Sequence, residues 1–329
     1  AISAASTAGI PVEFCSNHRA MVGQVLTHAI PEPDLLLLQT DCCDNKLKTW
    51  EIFFDHYACP RFLLDIPFTY REEGIAYIRQ QLDQLVSFLE THSGKKLDLD
   101  RLAQSLEHSR RCHALYREIN RMRAGVPSPL NSREVFSPLA MMLSLEGTTE
   151  AVSYFQQLRD DLQERVAQGK GAVEQENYRL FWLHGLPLHS LELLDWFERE
   201  HGAVVVMDQF SLLEEEDLID PARPLESLAR RHYFSCLNIA FYGDLAKSSR
   251  HITRAAREAR AQGAVFLAHI GCQIGCTMIH YFKDALQQEV GIPTLILDAD
   301  LIDPTAMSLE EMQGKMEGFF EILDERKGG

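Results

Sequence analysis

Short apolar runs that alternate with longer amphipathic segments are the feature that most constrains the fold of this chain. The strand-like runs are residues 35–39, 61–65, 178–182, 203–207, 264–269 and 294–297. Most runs are followed by a stretch with helical spacing, and residues 35–39 form a strand without alternation, which is typical of strands covered on both faces. Strands that alternate with helices form parallel sheets. The sequence therefore predicts an α/β fold of doubly wound parallel sheets.

Between the two α/β parts lies a helical insert. Its apolar residues recur three and four positions apart, which predicts helices over residues 75–89, 99–122 and 149–167. The predicted division is an N-terminal α/β domain over residues 1–69, a helical domain over residues 70–175 and a C-terminal α/β domain over residues 176–329. Because the chain begins without methionine and within a helix-like segment, we expect residues upstream of the first domain to be missing.

The charge of the chain argues against two classes of partner. It has 48 acidic against 32 basic side chains and a formal net charge of −16. Nucleic acids and anionic membrane surfaces select clustered lysine and arginine instead. No apolar run is long enough for a membrane helix, and no secretory signal pattern is present. We expect a cytoplasmic protein. Because no glycine-rich loop ends in Gly-Lys-Ser/Thr, we expect no bound nucleotide in this chain.

Three of the eight cysteines share one local setting. Cys15 and Cys43 each lie where a predicted helix begins, and Cys272 lies between the strand over residues 264–269 and the next helix. In open α/β sheets, ligands bind outside the carboxyl ends of the strands. A helix N-terminus also stabilises a thiolate through its unpaired N–H groups and its dipole. We predict that these three sulfurs converge where the two α/β domains face each other.

Three thiolates would leave one iron of a four-iron cluster open to a non-cysteine ligand, and such a cluster is a reactant rather than an electron carrier. Two alternatives stay open from the residues alone. Cys42 and Cys276 neighbour the proposed ligands and are candidates for additional ones. In the second alternative, the chain is a metal-free α/β binding protein and its cysteines are small buried hydrophobic residues. This interpretation suits Cys112 and Cys236 in particular.

Several segments, taken in order, resemble one known family. They are Phe14-Cys15-Ser16-Asn17-His18-Arg19, Thr40-Asp41-Cys42-Cys43-Asp44, Gly271-Cys272, Gly291-Ile292-Pro293, Asp298-Ala299-Asp300 and Glu317-Gly318-Phe319-Phe320-Glu321. The chain thus resembles the 2-hydroxyacyl-CoA dehydratases and the ATP-dependent (class I) benzoyl-CoA reductases, nearly from end to end. Residues 33–38 and 147–171 are most similar to benzoyl-CoA reductase catalytic subunits.

The resemblance implies an iron–sulfur catalytic subunit. Cys15, Cys43 and Cys272 would hold a [4Fe-4S] cluster. An ATP-hydrolysing iron–sulfur activator would supply one electron at low potential, which passes to the thioester carbonyl of an acyl-CoA and generates a ketyl radical anion. A second subunit, paralogous or identical, would complete the enzyme. An enzyme that reduces benzoyl-CoA would be an oxidoreductase. The alternative, an enzyme that dehydrates (R)-2-hydroxyacyl-CoA, would be a lyase.

Two further expectations accompany this resemblance. His184 and His189 flank a predicted strand end, where a proton donor would reach substrate. His18, Arg19 and His269 are candidates to face the cluster, and His18 and Arg19 also to face a CoA phosphate. A different class of function is a non-catalytic electron carrier of the double-cubane type, with Cys42 and Cys276 as added ligands.

Overall fold

The computed structural model describes residues 1–328 except residues 42, 69–70, 214–217 and 242–243. Within this part of the chain there are six strands, β1 Leu36–Gln39, β2 Arg61–Leu64, β3 Tyr178–Leu183, β4 Ala203–Asp208, β5 Gly263–Leu267 and β6 Thr294–Leu297. The helices are α1 Ile2–Thr7, α2 Ser16–Leu26, α3 Asp44–His56, α4 Glu72–Ser93, α5 Leu99–Arg123, α6 Phe136–Leu145, α7 Thr149–Ala167, α8 Glu192–His201, α9 Pro224–Tyr233, α10 Cys236–Phe241, α11 Leu245–Glu258, α12 Gln273–Ala285 and α13 Leu309–Gly328.

The chain divides into two compact units, and both are discontinuous in sequence. Unit 1 comprises Ala1–Leu106, Glu214–Leu245 and Ile270–Ile274. Unit 2 comprises Glu107–Leu213, Ala246–His269 and Gly275–Gly329. Unit 1 is therefore completed by two short segments that interrupt the sequence of unit 2, Glu214–Leu245 and Ile270–Ile274. The predicted division into residues 1–69, 70–175 and 176–329 stays a prediction.

Unit 1 contains a two-stranded parallel sheet. Strands β1 and β2 pair from Leu36 opposite Arg61 to Gln39 opposite Leu64. Apolar residues of α2 and α3 pack with β1 in one core, which contains Val22, Val25, Leu36 and Phe53. A second small core joins α4 to α9, a helix that the sequence did not predict. The parallel α/β arrangement expected for the N-terminal segment is confirmed.

Unit 2 is built around a four-stranded parallel sheet with the strand order β4-β3-β5-β6. Every residue of β3, β4 and β5 is buried. Their near-continuous apolar sequences are therefore explained by cover on both faces. The chain leaves β3 toward β4 on one side, and β5 lies on the other side. The carboxyl ends of β3 and β5 thus form the switch point at which open α/β sheets bind ligands.

Two helices depart from the sequence-based expectation. The sequence predicts a helix over residues 277–290, whereas α12 begins at Gln273, so that Cys276 lies inside the helix and Cys272 directly precedes it. Helix α6 was not predicted, because its sequence is almost entirely apolar and therefore shows no amphipathic periodicity. No helix of the described residues combines the length and the apolar character needed to cross a membrane.

A buried ion pair lies at the carboxyl end of β4 in unit 2. The Arg123 side chain is fully buried and its Nη2 donates to Asp208 Oδ2 at 3.0 Å. Asp208 also accepts hydrogen bonds from the backbone N–H groups of Phe210 and Ser211 and from the Ser211 hydroxyl. The other terminal nitrogen, Nη1, donates to Asn120 and Ser211, whereas Nε has no hydrogen-bond partner among the described residues. Both charges are thus compensated by several hydrogen bonds, as burial requires.

Candidate functional site

The three cysteines predicted as ligands all lie at the N-terminal ends of helices. Cys15 is the N-cap residue of α2, Cys43 is the N-cap residue of α3, and Cys272 directly precedes α12. Cys15 is buried, whereas Cys43 and Cys272 are half-buried. All three belong to unit 1, since the short excursion Ile270–Ile274 carries the third cysteine. Unpaired N–H groups of helix N-termini favour the thiolate form of a nearby sulfur.

The segments that carry the cysteines contact one another through Gly271. A Cβ atom added at Gly271 would lie 2.5 Å from the Cα of Cys15 and 2.8 Å from its backbone nitrogen, so only glycine permits this approach. The Asn45 side-chain amide donates to the Gly271 carbonyl oxygen at 2.8 Å. Gly271 therefore links the Cys272 loop to the Cys15 segment on one side and to α3, which begins beside Cys43, on the other.

The Cys43 sulfur has several polar neighbours. The Nε2 atom of His18 lies 3.4 Å from it. Burial raises the pKa of the Cys43 thiol, and hydrogen bonds from the backbone amides of Lys46 and Asn45 act in the opposite direction. The nearby Cys15 sulfur raises this pKa as well, which is the effect of two like charges brought close together. The net effect is a pKa above the ordinary value of a thiol, so the Cys43 sulfur keeps its proton at neutral pH unless a cation binds it.

A buried carboxylate fixes the loop in front of Cys43. Asp41 Oδ1 lies 3.0 Å from Lys46 Nζ, and its Oδ2 lies 3.1 Å from Nε2 of His232 on α9. Burial alone raises the pKa of Asp41, but the His232 and Lys46 contacts outweigh it and lower the pKa to about 2. Asp41 is thus a carboxylate at neutral pH and joins the Cys43 loop to a distant part of unit 1.

The three cysteines have the chemistry of cluster ligands, and their binding of a [4Fe-4S] cluster stays a prediction. Among the residues that the structure describes, no group of three or more His, Cys, Asp and Glu side chains is arranged to hold a metal ion. Ligands of a four-iron cluster bind different irons and stand further apart than ligands of one ion. Next to Cys15, the fully buried Ser16 hydroxyl has no hydrogen-bond partner among the described residues. A sulfur-rich group beside Cys15 would supply one.

The structure describes only one of the two candidates for additional ligands, Cys42 and Cys276. Cys42 lies outside the described residues. Cys276 belongs to unit 2, where its thiol donates to the His269 carbonyl oxygen at 3.4 Å. Burial, and after it the nearby Asp298, raise the pKa of Cys276. Participation of either cysteine stays a prediction.

The predicted histidines gather in unit 2 at the switch point of the sheet. His184 follows β3, and its ring stacks on Phe266 and lies 6.3 Å from the ring of His269. His269 Nδ1 is 3.2 Å from Asp300 Oδ2. His189 donates from Nε2 to the Asp300 carbonyl oxygen, so its Nδ1 accepts from the Ser190 hydroxyl. The catalytic role of His184 and His189 stays a prediction.

The buried His184 predicts a loss of stability in mild acid. Burial, and after it the neighbouring His269, lower the pKa of His184 from 6.5 to about 3. The unfolded chain therefore takes up this proton first as the pH falls, and stability that is present above the unfolded pKa is lost below it. We expect this group alone to lower the free energy of unfolding by about 2 kcal/mol between about pH 7 and about pH 5.

Denaturant unfolding at the two pH values measures this effect. The matched control is His184→Asn, because asparagine does not titrate and tolerates the positive φ of 66° at this position. The variant is expected to lose less stability than the wild-type chain between the two pH values. An equal loss in both proteins would contradict the assignment.

Sequence reasoning missed most of the contacts around Cys43. His18 was considered as a neighbour of Cys15, yet the structure places its ring against Cys43 and Thr49. Asn45 and Thr49 were not considered at all. Their spacing of four residues on a helix that begins at a cysteine was the available signal, since residues four apart share one helix face.

Comparisons with known proteins agree in pointing to one family. A family model described as 2-hydroxyglutaryl-CoA dehydratase, D-component, matches residues 1–323. The chain is 25% identical to a benzoyl-CoA reductase subunit of Thauera aromatica, over 99% of this chain and 80% of that protein. It is 24% identical to the (R)-phenyllactyl-CoA dehydratase alpha subunit of Clostridium sporogenes, over 93% and 74%. It is 22% identical to the (R)-2-hydroxyisocaproyl-CoA dehydratase alpha subunit of Clostridioides difficile, over 98% and 80%.

Proposed function

The chain belongs to the 2-hydroxyglutaryl-CoA dehydratase D-component family, and on that premise we propose that it is the iron–sulfur subunit of an acyl-CoA-reducing enzyme. Members of the family include subunits of enzymes named as benzoyl-CoA reductase and as 2-hydroxyacyl-CoA dehydratases, so the chain is of an oxidoreductase or lyase kind. The proposed reaction is one-electron reduction of an acyl-CoA thioester, of the benzoyl-CoA reductase type.

One observation carries the proposal. Three cysteines that are far apart in sequence lie at three helix N-termini of the same unit, and Gly271 brings their segments into contact. A buried structural cysteine has no need of a helix N-terminus, whereas a thiolate ligand gains from it. Cys15, Cys43 and Cys272 are the residues that would hold a [4Fe-4S] cluster with one iron left open.

Other residues of unit 1 would prepare this site. When bound, the cluster supplies single electrons to the thioester carbonyl of the substrate. The backbone amides of Lys46 and Asn45 face the Cys43 sulfur and balance its negative charge. Asp41 holds the loop in place through Lys46 and His232. The burial of Cys15 and Ser16 keeps water away from one side of the site.

The proposed enzyme has more than one kind of subunit. The relatives are each named as one subunit of an enzyme, two of them as alpha subunits, and each name implies a companion chain in that protein. We extend this to the present chain and include an ATP-hydrolysing iron–sulfur activator as the electron donor. We propose the reductase type because residues 33–38 and 147–171 resemble benzoyl-CoA reductase catalytic subunits, and the dehydratase type is the alternative, since dehydratase subunits match the chain at nearly the same identity.

Anaerobic purification of the chain with its companion subunit tests the proposal. We expect a brown protein with iron and sulfide, and an electron paramagnetic resonance spectrum of the reduced cluster that changes when acyl-CoA is added. A colourless protein that takes up no iron after reconstitution would refute the proposal. A cluster whose spectrum ignores every acyl-CoA would identify an electron carrier instead.

Turnover with the activator distinguishes the substrates. Benzoyl-CoA and a series of (R)-2-hydroxyacyl-CoA thioesters are supplied in parallel, with ATP and a low-potential electron source. Loss of benzoyl-CoA with formation of a cyclic diene supports the reductase type. Loss of the hydroxyl group from a hydroxyacyl-CoA, without consumption of benzoyl-CoA, would assign the dehydratase type.

A further inference from the structure

The ring of His18 is held between two polar partners inside unit 1. His18 is buried on α2 and exposes only 9% of its surface. Its Nε2 atom lies 3.4 Å from the Cys43 sulfur, and its Nδ1 atom lies 2.8 Å from the hydroxyl oxygen of Thr49. Both ring nitrogens thus have a partner, and these partners fix the direction in which the ring points.

The chemistry of a ligand sulfur decides which atom carries the proton. A thiolate that binds iron has no proton to donate, so a hydrogen bond between it and His18 requires the proton on Nε2. The fully buried Thr49 suits this requirement, because its hydroxyl can donate to Nδ1 or accept from it. The same hydroxyl lies 2.9 Å from the Asn45 carbonyl oxygen, which can only accept, so its single proton goes either to Asn45 or to Nδ1 of His18. A proton on Nε2 of the neutral ring requires the second arrangement.

We propose that His18 is a positioning residue whose Nε2–H group donates a hydrogen bond to the Cys43 sulfur when that sulfur holds iron. Thr49 orients the ring from the opposite side. Donors to a ligand sulfur withdraw electron density and make a cluster easier to reduce. His18 therefore sets the potential at which this site takes up an electron. The inference rests on the proposed function, since it assumes a cluster bound through Cys43.

Three substitutions of His18 separate the hydrogen bond from the mere filling of space. His18→Leu removes both polar contacts. His18→Gln places an amide nitrogen near the position of Nε2, and His18→Asn places one near the position of Nδ1. In the reconstituted complex, we expect the midpoint potential of the cluster to become more negative in the leucine and asparagine variants. The glutamine variant is expected to stay closer to wild type.

The midpoint potentials are measured by redox titration followed by electron paramagnetic resonance, with circular dichroism as the check on folding. Because the glutamine variant keeps the size and polarity of the side chain, it gives a reading even where the leucine variant does not fold. Equal potentials in the wild-type protein and in the leucine and asparagine variants would overturn the proposal. Equally negative potentials in all three variants would do so as well.

A second measurement needs no cluster. In the metal-free complex, iodoacetamide alkylation at Cys43 is followed by peptide mass spectrometry, with Cys59 in the same unit as the internal reference. We expect His18→Leu to slow alkylation at Cys43 selectively, because the ring no longer stabilises the thiolate. An unchanged rate would overturn the contact itself. If the wild-type protein binds no iron, the proposed function fails, while this experiment still decides whether His18 acts on the Cys43 sulfur.

Discussion

Replacing Cys43 with alanine is expected to abolish both iron retention and acyl-CoA turnover. The variant removes one of only three proposed protein ligands, and the two that remain leave half of a four-iron cluster without protein attachment. The same loss is expected for Cys15→Ala and Cys272→Ala, although the three residues come from distant parts of the chain. Iron and sulfide per chain, the spectrum of the reduced protein and turnover with benzoyl-CoA measure the effect.

The control for this experiment is Cys59→Ala. Cys59 is half-buried in unit 1, packs beside the core of α2, α3 and β1, and follows the C-terminal end of α3 by three residues. We expect this variant to keep its iron. Cys276→Ala extends the comparison, because loss of iron there would indicate a fourth protein ligand. Full iron content and activity in Cys43→Ala would remove the basis of the proposed function.

The second large effect is expected from Asp208→Asn, which removes the charge but keeps the size of a buried side chain. Arg123 is fully buried beside it and would be left as an uncompensated charge. Removal of one partner of a buried pair costs about 3–5 kcal/mol. The double variant Arg123→Met/Asp208→Asn is expected to lose less than the sum of the two single variants, because neither charge then remains.

Unfolding by denaturant measures these differences, and an exposed pair in the same unit is the reference. Arg199 and Glu200 on α8 form an ion pair at 2.7 Å with side chains that are 68% and 52% exposed. Exposed pairs contribute about 0–1 kcal/mol, so Glu200→Gln is expected to have little effect. If Asp208→Asn were no more destabilising than Glu200→Gln, the Arg123–Asp208 pair would not carry the stability assigned to it.

The parts of the fold that could be predicted are those governed by local pattern. Strands β3, β4 and β5 were recognisable because burial on both faces demands continuous apolar residues. Gly169 lies just beyond the predicted helix over residues 149–167 and has the left-handed φ of 65° that glycine adopts most readily. Helix α6 escaped because an almost wholly apolar segment has no polar face to reveal its period.

In the candidate site, too, local features could be predicted from the sequence, whereas contacts between distant residues could not. The start of a helix next to each of three cysteines is a local signal for ligand cysteines. The resemblance to a known family supported the same prediction. The contact between His18 and Cys43 joins residues 25 positions apart, and that between Arg123 and Asp208 joins residues 85 positions apart. Such pairs depend on how helices and strands pack, and neither propensity nor spacing encodes that packing directly.

The discontinuity of unit 1 has a consequence for biosynthesis. Asn45 and Gly271, which meet beside the proposed ligands, are 226 positions apart. A ribosome that adds roughly 5–20 residues per second delivers Cys15 and Cys43 many seconds before Cys272. During that interval the first two thiols lack their companion. The proposed cluster is therefore expected to be inserted only late in translation or after release, and the two early thiols are expected to need protection from oxygen until then.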